Sequence, residues 1–242
     1  MKLIFLALFY IFINSAFAHE FNYKIISDKK NLLSKPNKEV CNENNIPSAF
    51  LTLNNECICK EDVEYPEFDI IKHPSLKEFN KIISDYIKKN EVCLKEGEVA
   101  ERDVKFKIEG YKDIISVLLQ ERTYSGGAHG YNATTTFNFD IKAQKLVELK
   151  DVIAEENYSK LNDLLWDQII KNKDSYFYDY ERSSDKKLQL LPANNTKELV
   201  NYQFFLTKNN IVISFNPYAI APYYAGVIEI KLPMNLLLKK YK

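Results

Sequence analysis

One short segment in the middle of the chain is apolar at nearly every position, and it reads Ile114-Ile115-Ser116-Val117-Leu118-Leu119. Continuous apolar runs of this length are typical of central strands that are buried on both faces. Apolar and polar residues alternate before this run, from Val104 to Ile108, and after it, from Thr135 to Ile141. Alternation indicates strands with one buried face. The sequence therefore predicts a sheet centred on 114–119.

Two other segments repeat apolar residues at helical spacing. In 75–89 these residues are Leu76, Phe79, Ile83, Tyr86 and Ile87, and in 155–172 they are Tyr158, Leu161, Leu164, Leu165, Trp166 and Ile169. This spacing predicts two amphipathic helices, each with one buried face. Ser75 and Glu78, which follow Pro74, predict a capping box at the start of the first helix.

The C-terminal part predicts a hairpin and one further strand. Apolar residues alternate over 202–206, Asn209-Asn210 can adopt the positive φ angles of a tight turn, and 211–215 pair back. A strand from Val227 to Leu232 follows. Strands with hairpin-like neighbours and no repeating β-α-β order indicate the α+β class. We expect mainly antiparallel sheets packed with two principal helices.

The segments between these elements are mostly polar. We expect residues 19–48 to form a leader or loop tied down by Cys41, and 142–145 to form a turn. Residues 50–53 predict a short strand, and 173–198 predict a loop or short helix.

The first 18 residues have the three parts of a secretory signal peptide. Lys2 is positively charged, Leu3–Ile13 is an unbroken apolar run, and Ala16-Phe17-Ala18 places small residues at the cleavage site. A membrane anchor is the weaker alternative, because the run, at ~1.5 Å per residue, reaches about half of a ~30 Å hydrocarbon core. We expect cleavage after Ala18 and a soluble periplasmic or secreted protein without membrane insertion.

All four cysteines, Cys41, Cys57, Cys59 and Cys93, lie in the N-terminal part of the chain. An even number of cysteines in an exported protein predicts disulfides. We expect Cys41–Cys57 and Cys59–Cys93, with the swapped pairing as the alternative, and each bridge contributes about 3 kcal/mol in the chain-entropy model. A four-thiolate zinc site is a weaker hypothesis, because the paired C-x₂-C spacing is missing.

The overall charge is balanced, with 33 basic and 33 acidic residues. This balance argues against nucleic-acid binding, which needs a concentrated basic surface. The chain also contains no H-E-x-x-H motif and no calcium-loop spacing, and His19, His73 and His129 form no ligand set. The sequence indicates no metal and no cofactor.

The segment Tyr124-Ser125-Gly126-Gly127-Ala128-His129-Gly130 departs from this simple patterning. Its glycines permit a bulge or a close approach to another chain. We consider it a binding surface or a turn in which His129 caps backbone groups. A hydrolytic pair of Ser125 and His129 is the third interpretation, but no acid is positioned to orient the imidazole, and G-x-S-x-G is missing.

A second unusual segment runs from Asn216 to Gly226 and contains Pro217, Tyr218, Pro222, Tyr223 and Tyr224. Two prolines stiffen this loop, which lowers the entropy cost of binding. Tyrosines are favoured as anchors in interfaces. The alternative is that Tyr218 and Tyr223 fold inward and cover an edge of the core.

These motifs together resemble the RsiV-like domain-of-unknown-function family. The resemblance is carried by 124–130 with Phe137-Asn138-Phe139-Asp140, and by the hairpin Phe205–Ile211 with the loop Phe215–Gly226. Tyr65-Pro66 and the helix at 75–89 are similar to a smaller module often found ahead of such domains. The expected organisation is a signal peptide at 1–18, a cysteine-containing segment at 19–60, a small α+β module at 61–120 and an RsiV-like α+β domain at 121–242.

The resemblance implies recognition outside the cytoplasm and no catalysis. Related domains form the outer part of a lysozyme-sensing anti-sigma factor and are non-catalytic companions of a peptidoglycan deacetylase. We expect a non-enzymatic protein that binds a lysozyme-type muramidase or a peptidoglycan fragment. The alternative hypotheses are an envelope hydrolase that uses Ser125 and His129, or an envelope-assembly factor. The candidate binding residues are Tyr124, Ser125, Gly126, Gly127, His129, Pro217, Tyr218, Pro222 and Tyr223.

Overall fold

The computed structural model describes two β-sheets and the helices that cover them. The described residues are 21–34, 57–92, 100–125, 128–171, 203–221 and 223–236. Within these ranges, the larger sheet contains six strands in chain order: β1 (Tyr23–Ser34), β2 (Cys57–Phe68), β3 (Ala100–Tyr111), β4 (Ile114–Tyr124), β5 (Tyr131–Asp140) and β6 (Lys145–Leu146). Its neighbouring strands are antiparallel except for β2 and β3, which are parallel.

The smaller sheet is antiparallel and has the order β7 (Gln203–Leu206), β8 (Asn210–Phe215) and β9 (Ile228–Pro233). The helices are α1 (Lys77–Lys89), the single turn α2 (Leu149–Val152) and α3 (Tyr158–Lys171). These elements confirm the predicted α+β class with mainly antiparallel sheets and two main helices. No helix in the described part of the chain is long and apolar enough to cross a membrane.

The layers are held together by three apolar clusters. One joins α1 to the larger sheet and includes Phe79, Ile83 and Phe139. A second joins α3 to the smaller sheet and includes Leu165 and Ile213. A small third cluster lies between the two sheets, where Leu118 contacts Phe205 and Val212. The order of layers is therefore α1, larger sheet, smaller sheet, α3.

Strand β4 explains why 114–119 is apolar at nearly every position. Ile115, Val117 and Leu119 face α1, and Leu118 faces the smaller sheet. Ser116 also faces the smaller sheet, and its hydroxyl donates to Asn138 Oδ1 at 2.6 Å. The prediction of a central strand buried on both faces is confirmed.

Polar side chains of the smaller sheet cover the outer edge of β5. Thr134 donates its N–H to Asn216 Oδ1 at 2.8 Å, and Asn216 Nδ2 donates to the Thr134 carbonyl at 3.2 Å. Gln203 Oε1 accepts the N–H of Thr136 at 2.6 Å. The amide groups of Asn216 and Gln203 thus replace the backbone partner that a neighbouring strand would supply.

A buried ion cluster joins the C-terminal end of α1 to the larger sheet. The Arg102 side chain is 1% exposed, and its guanidinium contacts Glu61 at 3.4 Å and Glu121 at 3.0 Å. It also donates to the Ile87 carbonyl at 3.2 Å. Tyr86 donates its hydroxyl hydrogen to Glu121 Oε1. Burial, together with this hydrogen bond, raises the pKa of Tyr86 to about 12.

Several local predictions were wrong. Within the predicted leader, 23–34 form β1, an edge strand whose polar side chains gave no apolar alternation. Strand β2 was also missed, since Pro66 argues against a central strand. Pro66 pairs only with β1, because the ladder from β2 to β3 ends at Val63. Proline lacks an N–H, so this position avoids losing a second ladder bond.

The predicted capping box at Ser75 is also wrong. Pro74 begins a 3₁₀ turn, so Ser75 lies inside the helical turn, and Leu76 precedes α1 without a side-chain cap. A capping box is found instead at Glu148 and Asp151 of α2.

The hairpin turn does not use positive φ angles at Asn209 and Asn210. Instead, Thr207 Oγ1 accepts the N–H of Asn210 at 3.0 Å, and the Thr207 N–H bonds the Asn210 carbonyl at 2.9 Å. The hydroxyl closes the turn in place of left-handed residues. The predicted strands around this turn, at 202–206, 211–215 and 227–232, are confirmed.

Some predictions lie outside the described residues. These are the signal peptide, the strand at 50–53, the loop at 173–198, Cys41, Cys93 and the side chain of Cys57. Cys59 is 1% exposed and is disulfide-bonded. Its partner and the pairing stay predictions. The expected boundary between residues 120 and 121 falls inside β4, which pairs with β3 and β5 on its two sides.

Replacing the buried arginine tests the ion cluster. Arg102→Met removes the buried cation between Glu61 and Glu121, so we expect a loss of about 3–5 kcal/mol in the free energy of unfolding. Chemical denaturation measures this loss. The control is Lys142→Met, since Lys142 is 77% exposed and pairs with Asp113 at the surface. That variant should unfold at nearly the same denaturant concentration as the unaltered protein, because exposed ion pairs contribute little to stability. Equal losses would contradict a central role for Arg102.

The raised pKa of Tyr86 predicts a pH dependence of stability. The unfolded tyrosine has a pKa of about 10, so the folded state retains its proton at higher pH than the unfolded state. Its contribution is complete below about pH 10 and is lost as the pH rises towards about 12. Tyr86→Phe should therefore show a smaller decrease in the free energy of unfolding over this interval. Parallel curves for the two proteins would refute this prediction.

Candidate functional site

The two unusual segments of the sequence meet in the structure. The rings of His129 and Tyr223 are stacked, with their centroids 3.9 Å apart and their planes at 19°. Tyr223 also donates its hydroxyl hydrogen to the carbonyl of Gly130 at 2.5 Å. The glycine-rich segment follows β4, and the Pro-Tyr loop connects β8 to β9. Residues that are far apart in sequence thus form one surface at the end of the larger sheet.

The backbone of the Pro-Tyr loop directs Tyr218 outward. Pro217 is buried, and the Asn216 side chain fixes the start of the loop on β5. Tyr218 has a positive φ of 69°, a conformation that is uncommon for a bulky residue. Its N–H donates to the Ala221 carbonyl at 3.0 Å, so the turn is closed behind it. Residues held in such conformations cluster at functional sites.

Exposed aromatic residues lie on the same two segments as the stacked pair. Tyr218 is 63% exposed, Tyr224 is 76% exposed and Tyr131 is 44% exposed. The ring centroids of Tyr218 and Tyr223 lie 5.9 Å apart. We call His129, Tyr131, Tyr218, Tyr223 and Tyr224 the loop surface. Tyrosines that stay in water can contribute apolar contact area and a hydroxyl to a partner.

The structure brings together only some of the predicted candidate residues. The rings of His129, Tyr218 and Tyr223 are brought together, whereas Pro217 is buried and supports the loop. Tyr124 lies at the end of β4 and lines a neighbouring cleft. Gly126, Gly127 and Pro222 lie outside the described residues. The alternative interpretation was that Tyr218 and Tyr223 fold inward and cover an edge of the core. Tyr223 is half-buried and fits this interpretation in part, whereas Tyr218 is exposed.

The geometry does not assemble a hydrolytic pair at Ser125 and His129. Ser125 is exposed, and His129 Nδ1 lies 2.9 Å from the carbonyl of Gly130. Within the described residues, no hydrogen bond joins Ser125 to His129, and no carboxylate bonds the imidazole. A nucleophile needs such a base within hydrogen-bond distance.

A polar hollow of about 300 Å³ lies where the start of β9 meets β4 and β5. Arg122, Asn132, Thr134 and Glu229 are among its lining residues. These side chains offer amide, hydroxyl, guanidinium and carboxylate groups to a ligand. Val227, which follows the Pro-Tyr loop by one residue, also lines this hollow.

A larger charged cleft of about 450 Å³ lies across β1 to β4. Its lining residues include Lys29, Asp62, Asp103, Arg122 and Tyr124, so Arg122 belongs to both depressions. Lys29 donates to Asp62 Oδ2 at 2.9 Å, and this bond holds the pKa of Asp62 below its usual value. Sequence reasoning missed Asp62, Asp103 and Arg122, because charged residues on a strand usually indicate a solvated face.

Part of the chain is similar to a known protein family. Residues 150–235 match the family described as protein of unknown function (DUF3298). The match includes the Pro-Tyr loop and α3, whereas the glycine-rich segment precedes it. The predicted domain of unknown function is confirmed to this extent, and the RsiV-like assignment stays a prediction.

One relative and two solved structures extend this comparison. The chain is 29% identical over 141 residues to the peptidoglycan-N-acetylmuramic acid deacetylase PdaC of Bacillus subtilis (strain 168), a region of 57% of this chain and 28% of that protein. A DUF3298 family protein from Bacteroides fragilis has a TM-score of 0.52 at 18% identity, and one from Pseudomonas aeruginosa PAO1 has 0.50 at 14%. Each alignment covers 90% of this chain and 95% of the other, and shows a shared fold.

At Gly130, the glycine-rich segment approaches the backbone of β4 too closely for a side chain. A Cβ atom there would lie 2.9 Å from the Thr123 carbonyl oxygen. We therefore expect Gly130→Ala to displace the start of β5 and to cost about 1–3 kcal/mol in the free energy of unfolding. The exposed Ala128→Gly is the control and should cost less than about 1 kcal/mol. Similar stability of Gly130→Ala and the unaltered protein in chemical denaturation would refute the close approach.

Proposed function

We propose that this chain is an exported, non-catalytic binding protein that recognises peptidoglycan through the loop surface. The observation that carries this proposal is the stack of His129 on Tyr223, which fixes a loop that presents Tyr218 and Tyr224 to solvent. A preformed loop binds with a small entropy cost, because its backbone is ordered before the ligand arrives.

The chemistry of the loop surface suits a glycan. Sugar rings have apolar C–H faces, which pack on aromatic rings, and hydroxyl groups, which need hydrogen-bond partners. Tyr218 and Tyr224 supply exposed rings. Arg122, Asn132 and Glu229 supply donors and acceptors in the polar hollow. Few polar groups placed beside apolar area are typical of small-ligand sites.

The relative with a known substrate supports the same class of ligand. PdaC is a peptidoglycan-N-acetylmuramic acid deacetylase, and the shared region makes up 28% of its length. We infer that the shared region contributes binding to the same polymer. The described residues around Ser125 and His129 do not favour a reaction, so binding without catalysis is the function that this geometry supports best.

Sedimentation with purified sacculi tests the proposal. The mature protein should bind, and Tyr224→Ala and Tyr218→Gly should each weaken binding by about tenfold or more, as expected for interface anchors. Glycine is well tolerated at the positive φ of residue 218, so that variant should keep its stability. Ile71→Ala is the matched control, since Ile71 is 90% exposed and lies outside the loop surface.

Three results would contradict the proposal. Equal binding by Tyr224→Ala and the control would exclude the loop surface. Binding to lysozyme but not to sacculi would favour muramidase recognition instead. Release of soluble sugars from sacculi, lost in both Ser125→Ala and His129→Ala, would favour the envelope hydrolase.

A further inference from the structure

The charged cleft is crossed by a row of side chains from neighbouring strands. The registers of the larger sheet place Lys29, Asp62, Asp103, Arg122 and Asn132 directly beside one another, from β1 to β5. Directly opposed residues project on the same face, with their Cβ atoms about 4.5–5.5 Å apart. The row therefore presents the charges plus, minus, minus and plus, followed by an amide.

Only the first half of this row is neutralised within the protein. Lys29 donates to Asp62 at 2.9 Å. By contrast, within the described residues, neither Asp103 nor Arg122 takes part in an ion pair or a side-chain hydrogen bond, although they face each other across β3 and β4. Within the described residues, Asp103 and Arg122 thus carry opposite charges in the wall of the cleft, and neither forms an ion pair.

The Asp62 carboxylate already has cations of the protein beside it. Its Oδ1 atom is buried and has no hydrogen-bond partner in the described part of the chain. Lys105 Nζ lies 3.8 Å from this atom, and Lys29 Nζ donates to the other oxygen, Oδ2, at 2.9 Å. Asp62 is therefore compensated inside the protein, and its covered oxygen is closed to a ligand, so Asp103 is the anion of the row that faces the cleft.

We propose that the charged cleft binds a zwitterionic α-amino-acid group, with its ammonium at Asp103 and its carboxylate at Arg122. A guanidinium is suited to a carboxylate, since it can donate two parallel hydrogen bonds. Tyr124 lies at the same end of the cleft and belongs to the segment beside the loop surface. Two kinds of molecule carry this group: the stem peptide of peptidoglycan and a free amino acid. The inference rests on the proposed function only for the stem peptide.

Calorimetric titration of the mature protein tests the cleft directly. The probes are free meso-diaminopimelate, which has a zwitterionic group at each end, and a synthetic stem tripeptide that ends in this residue. We expect at least one probe to bind, and Asp103→Asn and Arg122→Gln each to weaken it by about tenfold or more. Lys142→Ala is the control, since its ion pair with Asp113 lies outside the cleft. It should bind as the unaltered protein does.

Modified probes assign each contact. N-acetylation of the zwitterionic group should weaken binding to the unaltered protein and remove the difference between it and Asp103→Asn. Amidation of the carboxylate should do the same for Arg122→Gln. Tighter binding of the tripeptide identifies the stem peptide as the source, and equal binding identifies the free amino acid.

The outcomes separate this inference from the proposed function. If neither probe binds, or if both cleft variants bind as the control does, the inference is overturned even when sacculi still bind through Tyr224. If the probes bind with the expected losses but sacculi do not bind, the cleft is supported and the proposed function fails.

Discussion

Burial of β4 on both faces over Ile114–Leu119 is the constraint on which the layered structure depends. One face packs on α1 through Val117 and Leu119, and the other contacts the smaller sheet through Leu118. Burial ends at Gln120, where the strand emerges from between the two layers. The exposed half of the same strand carries Arg122 and Tyr124. The core therefore positions the candidate site by fixing the strand from which it projects.

The buried ion cluster also fixes strands of the larger sheet, and it does so beside the C-terminal end of α1. Arg102 contacts Glu61 and Glu121, and it also bonds a carbonyl at the end of α1. Removing two carboxylates and a guanidinium from water is costly, and their mutual contacts offset this cost only with good geometry. Such a cluster is sensitive to displacement, so it holds the helix and β2–β4 in one arrangement.

Hydrophobic periodicity was sufficient to predict the α+β class, both main helices and the strands from 104 to 141. It failed for β1, because an edge strand buries too little to impose alternation. It also failed for β2, because Glu61 takes a buried position that an apolar residue would normally occupy. Its partner Arg102 comes from β3, so this charge is compensated by a contact that local pattern does not reveal.

The candidate site shows the same division between local and distant information. Glycines, prolines and tyrosines marked the two segments that meet at His129 and Tyr223, because these residue types are locally unusual. The row through Asp103 and Arg122 was not predicted, since it exists only through strand register. Arg122 had no distinguishing neighbour in the sequence, and only the strand register shows that Asp103 lies directly across from it.

The amide groups of Asn216 and Gln203 on the outer edge of β5 have a consequence for the protein among other chains. An uncovered strand edge can recruit a strand from another molecule and so initiate aggregation. Asn216 satisfies both backbone groups of Thr134 and also begins the loop that presents Tyr218. One side chain therefore protects against aggregation by covering the strand edge and also fixes the start of the loop that carries the tyrosines. A substitution that removes the Asn216 amide would therefore alter the loop and also expose the edge of β5 to strands of other molecules.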